Sequence, residues 1–117
     1  MVEQCMNMFD VVPPNQPAVV VFSRGEKLII DNKGSGETGN WKVDHERIRK
    51  IEKVVVYLRK PGESGGRVFV GNCTGYILSK ETGRYIITFS KLEEVCQTKS
   101  NWYEFAKTGP GPVRYFK

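Results

Sequence analysis

A chain of 117 residues with 39% hydrophobic content has the size of one domain built on a single core. No apolar run approaches the roughly 18 residues of a membrane span, and Met1 to Val12 has neither the basic end nor the apolar centre of a signal peptide. A cytoplasmic protein with no membrane partner is therefore expected. The formal charge of +5 is unevenly placed: between Lys42 and Lys60 seven basic residues (Lys42, Arg47, Arg49, Lys50, Lys53, Arg59, Lys60) stand against Asp44, Glu46 and Glu52. A local positive field of this kind draws phosphate backbones through counterion release, or acidic protein surfaces through Coulomb attraction. Its plainer reading is a solvated helix face.

Residues 1–17 hold Pro13, Pro14 and Pro17 with little periodicity and read as an extended lead-in, leaving 18–117 as the domain. Ala18 to Ser23 is a continuous apolar run, the pattern of a central strand, and Arg24-Gly25 suggests a hairpin into Lys27 to Asp31. Asn32 to Asn40 has three glycines and almost no apolar side chain, so a loop is expected. It lacks the Gly-Lys-Ser/Thr of a phosphate-binding loop, and the order of elements around it does not fit a dinucleotide fold. Asp44 is a plausible N-cap for a helix from His45 to about Glu52, with Ile48 and Ile51 as its apolar stripe and Arg47, Arg49 and Lys50 facing out.

Lys53 to Ser90 reads as an antiparallel meander of three strands, separated by Pro61 to Gly66 and by a turn at Gly83. In the third strand Tyr85, Ile87 and Phe89 share one face, and that face goes inward. Lys91 to Val95 suggests a turn or a single helical turn, Asn101 to Phe105 another strand or turn, and Val113 to Phe116 a final edge strand open to pairing with a second copy.

Cys5, Cys73 and Cys96 are odd in number, far apart and without a Cys-x-x-Cys pair, which argues for reduced thiols and against a tetrahedral zinc site. Neither a cofactor nor a metal is called for. His45 is the sole histidine, set among charges at a helix start with no activated nucleophile beside it, and Asp31 is followed by no Glu-x-Lys, so support for catalysis is weak. Trp41 and Trp102 lie outside the clear strands. Their ring faces suit base stacking, which contributes roughly 1–3 kcal/mol per base, although core capping is the alternative role for each. With a basic helix alongside, the combination is that of a protein holding a nucleic-acid strand with one base in a pocket.

Taken in order, the apolar strand ending in Phe22-Ser23, the long loop with an aromatic, the short basic helix, Val54 to Tyr57, the Gly-containing strand Val68 to Tyr76, and Tyr85 to Val95 with its Leu-Glu-Glu-Val segment resemble the PUA-like superfamily, particularly its EVE, YTH and ASCH branches. The resemblance implies an α+β, mainly β fold: a small, partly open antiparallel β-barrel with one or two short helices. It also implies binding of DNA or RNA, with a modified base read in an aromatic pocket. By position, Ser23 and Trp41 would line that pocket, Asn40 would hydrogen-bond the base edge, and Arg47, Arg49 and Lys50 would track phosphates, with Lys42 also among the nucleic-acid-binding residues. Trp102 would be a second wall, although its place after the acidic segment departs from the family pattern.

The leading expectation is a non-catalytic nucleic-acid-binding module. Beside it stand a small interaction factor of the inhibitor or immunity type, using the basic patch on an acidic protein partner, and a small nuclease.

Overall fold

The computed structural model describes residues 3–4, 11–12, 16–25, 28–63, 65–80, 83–98 and 113–116. Among these residues eight strands and one short helix follow one another: β1 (Glu3–Gln4), β2 (Ala18–Ser23), β3 (Leu28–Ile30), β4 (Gly36–Trp41), α1 (His45–Ile48), β5 (Lys53–Leu58), β6 (Gly66–Leu78), β7 (Tyr85–Thr98) and β8 (Val113–Phe116). All strands belong to one sheet in the order β3-β4-β7-β6-β5-β2-β8, with β1 pairing β7 off that path. The mainly β architecture and the three-strand meander agree with the sequence expectation.

The expectation of a purely antiparallel sheet is corrected. β2 and β5 run parallel, from Ala18 beside Lys53 to Ser23 beside Leu58, and β1 is parallel to β7. The physical reason lies in burial. Parallel strands are covered on both faces, and both runs are continuously apolar: Val19, Val20, Val21, Val54, Val55 and Val56 are wholly removed from water. Each such valine contributes about 1.5–3 kcal/mol by burial, so this pair anchors the molecule. The hairpin expected at Arg24-Gly25 does not form. β2 pairs with β5 and β8, and β3 pairs with β4 instead.

The two faces of the parallel pair serve two apolar clusters. Ala18, Val20, Phe22, Val55 and Tyr57 pack with Val12, Val68 and Cys96. Val19, Val21, Val54 and Val56 face Ile48, Ile87, Phe89 and Leu92. Val12, within the stretch read as a lead-in, is thus a buried core residue, and β1 from the same stretch is hydrogen-bonded into the sheet.

Strands β3 and β8 end the path on opposite sides, yet Leu28 of β3 and Val113 and Tyr115 of β8 all pack on the second cluster. The sheet is therefore coiled around that cluster. Bulges supply the curvature. Lys91 and Leu92 oppose the single residue Gly71, with Lys91 in the left-handed region at φ 54°, and further register shifts occur at Val68/Phe69 and Cys73/Gly75. Among the described residues no pairing joins β3 to β8, so the sheet is not closed.

Three further expectations change. Gly36–Trp41 is a strand, not part of a loop; its weak intrinsic preference is overridden because β3 and β7 offer it ladder partners on both sides. The turn contracts to Asp31–Ser35, where Asp31 Oδ1 accepts from the N–H groups of Lys33 (2.8 Å) and Ser35 (3.0 Å). Lys91–Val95 continues β7 through its bulge in place of a turn. Cys96 is disulfide-bonded, which corrects the expectation of three reduced thiols, while Cys73 is free. Burial raises the Cys73 thiol pKa above its ordinary value, against a weaker opposing effect of the Gly75 backbone.

Candidate nucleic-acid interface

Helix α1 starts where the sequence indicates. Asp44 is extended and its Oδ1 accepts from the N–H groups of Glu46 (2.9 Å) and Arg47 (3.3 Å), satisfying donors that the first turn leaves free. It ends at Ile48, one turn short of the expected Glu52, because the chain must reach Pro17: the N–H groups of Glu52 (2.9 Å) and Lys53 (3.1 Å) both donate to the Pro17 carbonyl. Ile48 is buried and Ile51 half-buried on the coiled interior. Tyr115 of β8 holds the other side, its hydroxyl accepting from Asp44 N–H at 2.7 Å. Burial pushes the Tyr115 hydroxyl above its usual pKa.

The basic side chains around this packing are exposed. Arg47 lies 5.4 Å from the Tyr115 ring centroid and 3.9 Å from Asp44, and Arg49 stands 3.8 Å from Glu46. All four of these ion-pairing side chains are more than half exposed, so water and salt weaken both pairs. Lys42 and Lys50 are exposed and, among the described residues, make no ion pair. The cations at this end are therefore available to an outside anion.

Trp41 stands directly before them in the chain. It is half-buried against the interior cluster, and its Nε1 donates to Thr38 Oγ1 at 3.0 Å. In the ladder it sits beside Tyr85, whose ring meets Tyr76 edge-on at 5.8 Å. Three half-buried aromatic rings thus gather at one rim of the sheet. Tyr76 and Tyr85 were readable in sequence only as strand residues; what places them beside Trp41 is the bulge that shifts β4 against β7 between Thr38 and Trp41.

Ser23 is not part of this grouping. It is 2% exposed at the far end of β2, where its Oγ accepts from Gly25 N–H at 2.9 Å and its carbonyl accepts from Arg59 N–H at 3.0 Å. α1 adjoins the Ala18 end of that strand, and five residues of extended chain span about 17 Å. A single pocket holding both Ser23 and Trp41 is thereby corrected: the ladder carries Ser23 with Leu58, Arg67 and Gln97, but Trp41 with Tyr85 and Leu78. The backbone of Asn40 lies in β4 beside Trp41. Trp102 falls outside the described residues.

Among the described residues no three His, Cys, Asp or Glu side chains gather as metal ligands, and no helix is long and apolar enough to cross a membrane. Comparison with known protein families, with curated proteins and with solved structures finds no match in any of the three.

Proposed function

We propose that this protein is a non-catalytic nucleic-acid-binding module that holds a single strand along the α1 end of the sheet. The observation carrying this reading is the juxtaposition of exposed, loosely paired cations (Lys42, Arg47, Arg49, Lys50) with the half-buried aromatic rim of Trp41, Tyr85 and Tyr76. Cations contribute sequence-independent affinity through counterion release, and ring faces add stacking that every base can use. The likeness to PUA-like domains supports the same function and adds the finer proposal that a modified base occupies the aromatic rim, with Trp41 as the stacking surface.

The test is fluorescence anisotropy with labelled single- and double-stranded DNA and RNA, methylated and unmethylated, at two salt concentrations. Binding that falls steeply with salt and retains a preference for one nucleic acid supports the reading. Trp41→Leu keeps apolar volume against the interior but removes the ring face, so it should abolish that preference and leave the salt-dependent part. Absence of binding to every one of these probes overturns the proposal.

A second reading, a protein-interaction factor, is favoured by one observation: Ile29 (61% exposed) and Ile30 (40%) stand on β3, an end strand of the sheet path whose outer edge has no ladder partner among the described residues, the geometry that strand addition uses.

A further inference from the structure

The opposite end of the parallel pair carries a different kind of positive charge. There the β2 and β5 strands end together at Ser23 and Leu58, with Leu58 beside Arg67 of β6. Two adjoining hollows open at this end, of about 640 Å³ and 300 Å³, sharing Gly62 and Glu63. The smaller is lined by Arg24, Arg59 and Lys60. Volumes of this order match small-molecule sites rather than a groove for a long strand.

The cations around the hollows are not equivalent. Arg67 is committed: its Nη2 and Nε reach Glu94 Oε1 at 2.6 and 3.1 Å. Among the described residues, Arg24, Arg59 and Lys60 make no ion pair. Arg59 is held without being neutralised, since its Nε donates to the Glu63 backbone carbonyl at 2.9 Å, which orients the guanidinium and leaves both Nη groups to outside acceptors. The backbones that carry Arg24 and Arg59 are both tied to Ser23, through Gly25 N–H to its Oγ and Arg59 N–H to its carbonyl. Ser23 is therefore a positioning residue for two guanidinium groups.

We infer that the cleft formed by Arg24, Arg59 and Lys60 at the carboxyl ends of β2 and β5 binds a phosphate monoester. Guanidinium forks match the tetrahedral oxygens of phosphate with paired, charge-assisted hydrogen bonds, and a lysine adds a compact charge. The polar lining and small volume suit a phosphate on a sugar-sized body. The Glu63 carboxylate on the shared rim is the opposing charge: it pairs with none of the three cations among the described residues, and its field weakens the site for an incoming anion. This site is separate from the α1 surface, so either can fail alone.

The test uses the full chain and four probes: inorganic phosphate, a nucleoside 5′-monophosphate, and one short oligonucleotide with either a 5′-phosphate or a 5′-hydroxyl. Calorimetry or phosphorus NMR should detect binding of inorganic phosphate and the monophosphate, weakened about tenfold or more by Arg59→Ala, as expected for losing charge-assisted bonds. Arg24→Ala and Lys60→Ala, both at exposed positions, should weaken it in a folded protein. Glu63→Gln should tighten it. Lys42→Ala with Lys50→Ala should leave it unchanged. A 5′-phosphate that strengthens oligonucleotide binding, with the gain lost in Arg59→Ala, assigns the site to strand ends. Equal binding of the two oligonucleotides beside clear binding of the monophosphate assigns it to a free phosphate ester. Failure of inorganic phosphate and the monophosphate to bind, or affinity indifferent to Arg24→Ala and Lys60→Ala, overturns the inference.

Discussion

The two ends of the β2–β5 pair present positive charge in opposite ways. At the α1 end the cations stand on a four-residue helix held by one cap, one tyrosine hydroxyl and the buried Ile48. At the other end they line a concavity whose supports are cross-braced: Thr98 Oγ1 bonds the Tyr57 hydroxyl and accepts from Gly66 N–H, Arg67 grips Glu94, and Cys96 is disulfide-bonded two residues before Thr98. An exposed, lightly held surface suits a flexible polyanion that supplies many weak contacts. A hollow beside braced strands suits one small anion, because the Glu63 carbonyl orients Arg59 before the ligand arrives.

The largest expected effect breaks the bracing of the hollow. Cys96→Ser, or reduction, removes the crosslink and should cost about 3 kcal/mol, read as a fall in urea midpoint against the oxidised protein. An unchanged midpoint would mean that the bond constrains nothing. Next comes Gly66→Ala. The β6 backbone passes so close to the buried Tyr57 ring that a Cβ would overlap it, and relief requires moving a ring that packs at a tilt on Phe22 with centroids 5.5 Å apart. Overpacking of this kind should cost roughly 2 kcal/mol in thermal or chemical unfolding.

The corresponding change at the lighter end is Asp44→Ala. Loss of the cap should cost about 1 kcal/mol, with faster amide exchange confined to α1 while β5 and β6 stay protected. Exchange spreading through β5 would show that the helix is as integral as the hollow, and would erase the comparison.

Lys42→Ala with Lys50→Ala should leave stability within about 0.5 kcal/mol, since both side chains are exposed, but should lower the salt dependence of nucleic-acid binding by about 2 in log–log slope. The smallest effect is a pH dependence at the braced end. The Arg67 guanidinium beside Glu94 holds its carboxyl below the usual carboxylate range, against a weaker opposing effect of burial. A folded pKa below the unfolded one contributes stability above the unfolded value, and that contribution is lost as pH falls through the folded one. Arg67→Gln should therefore be less stable than the parent at neutral pH and converge with it in acid. A gap that persists in acid would assign the loss to packing on Phe69, whose ring centroid lies 5.3 Å from the Arg67 guanidinium carbon.

Much of the strand content was legible because local pattern and burial agree. Residues 18–22 and 54–58 are continuous apolar runs, Ile87 and Phe89 alternate inward, and Asp44 caps the helix that follows it. Gly36–Trp41 was not legible: it carries two glycines, and although it buries Thr38 it becomes a strand through ladder partners far away in sequence. The bulge opposite Gly71 was hidden too, since Lys91–Val95 looks locally like a turn and its extended course is imposed by pairing with β6.

The candidate sites divide along the same line. Charge between Lys42 and Lys60 was evident from composition alone, because residue type determines charge whatever the fold. Its partition into two sites required the fold. The parallel pairing of β2 with β5 carries Arg24 beside Arg59 and Lys60 at one end, and leaves Lys42, Arg47, Arg49 and Lys50 at the other. Periodicity and side-chain chemistry determined which residues are buried or charged. Only the non-local pairings decided which of them meet, because a ladder joins residues by register and not by nearness in the chain.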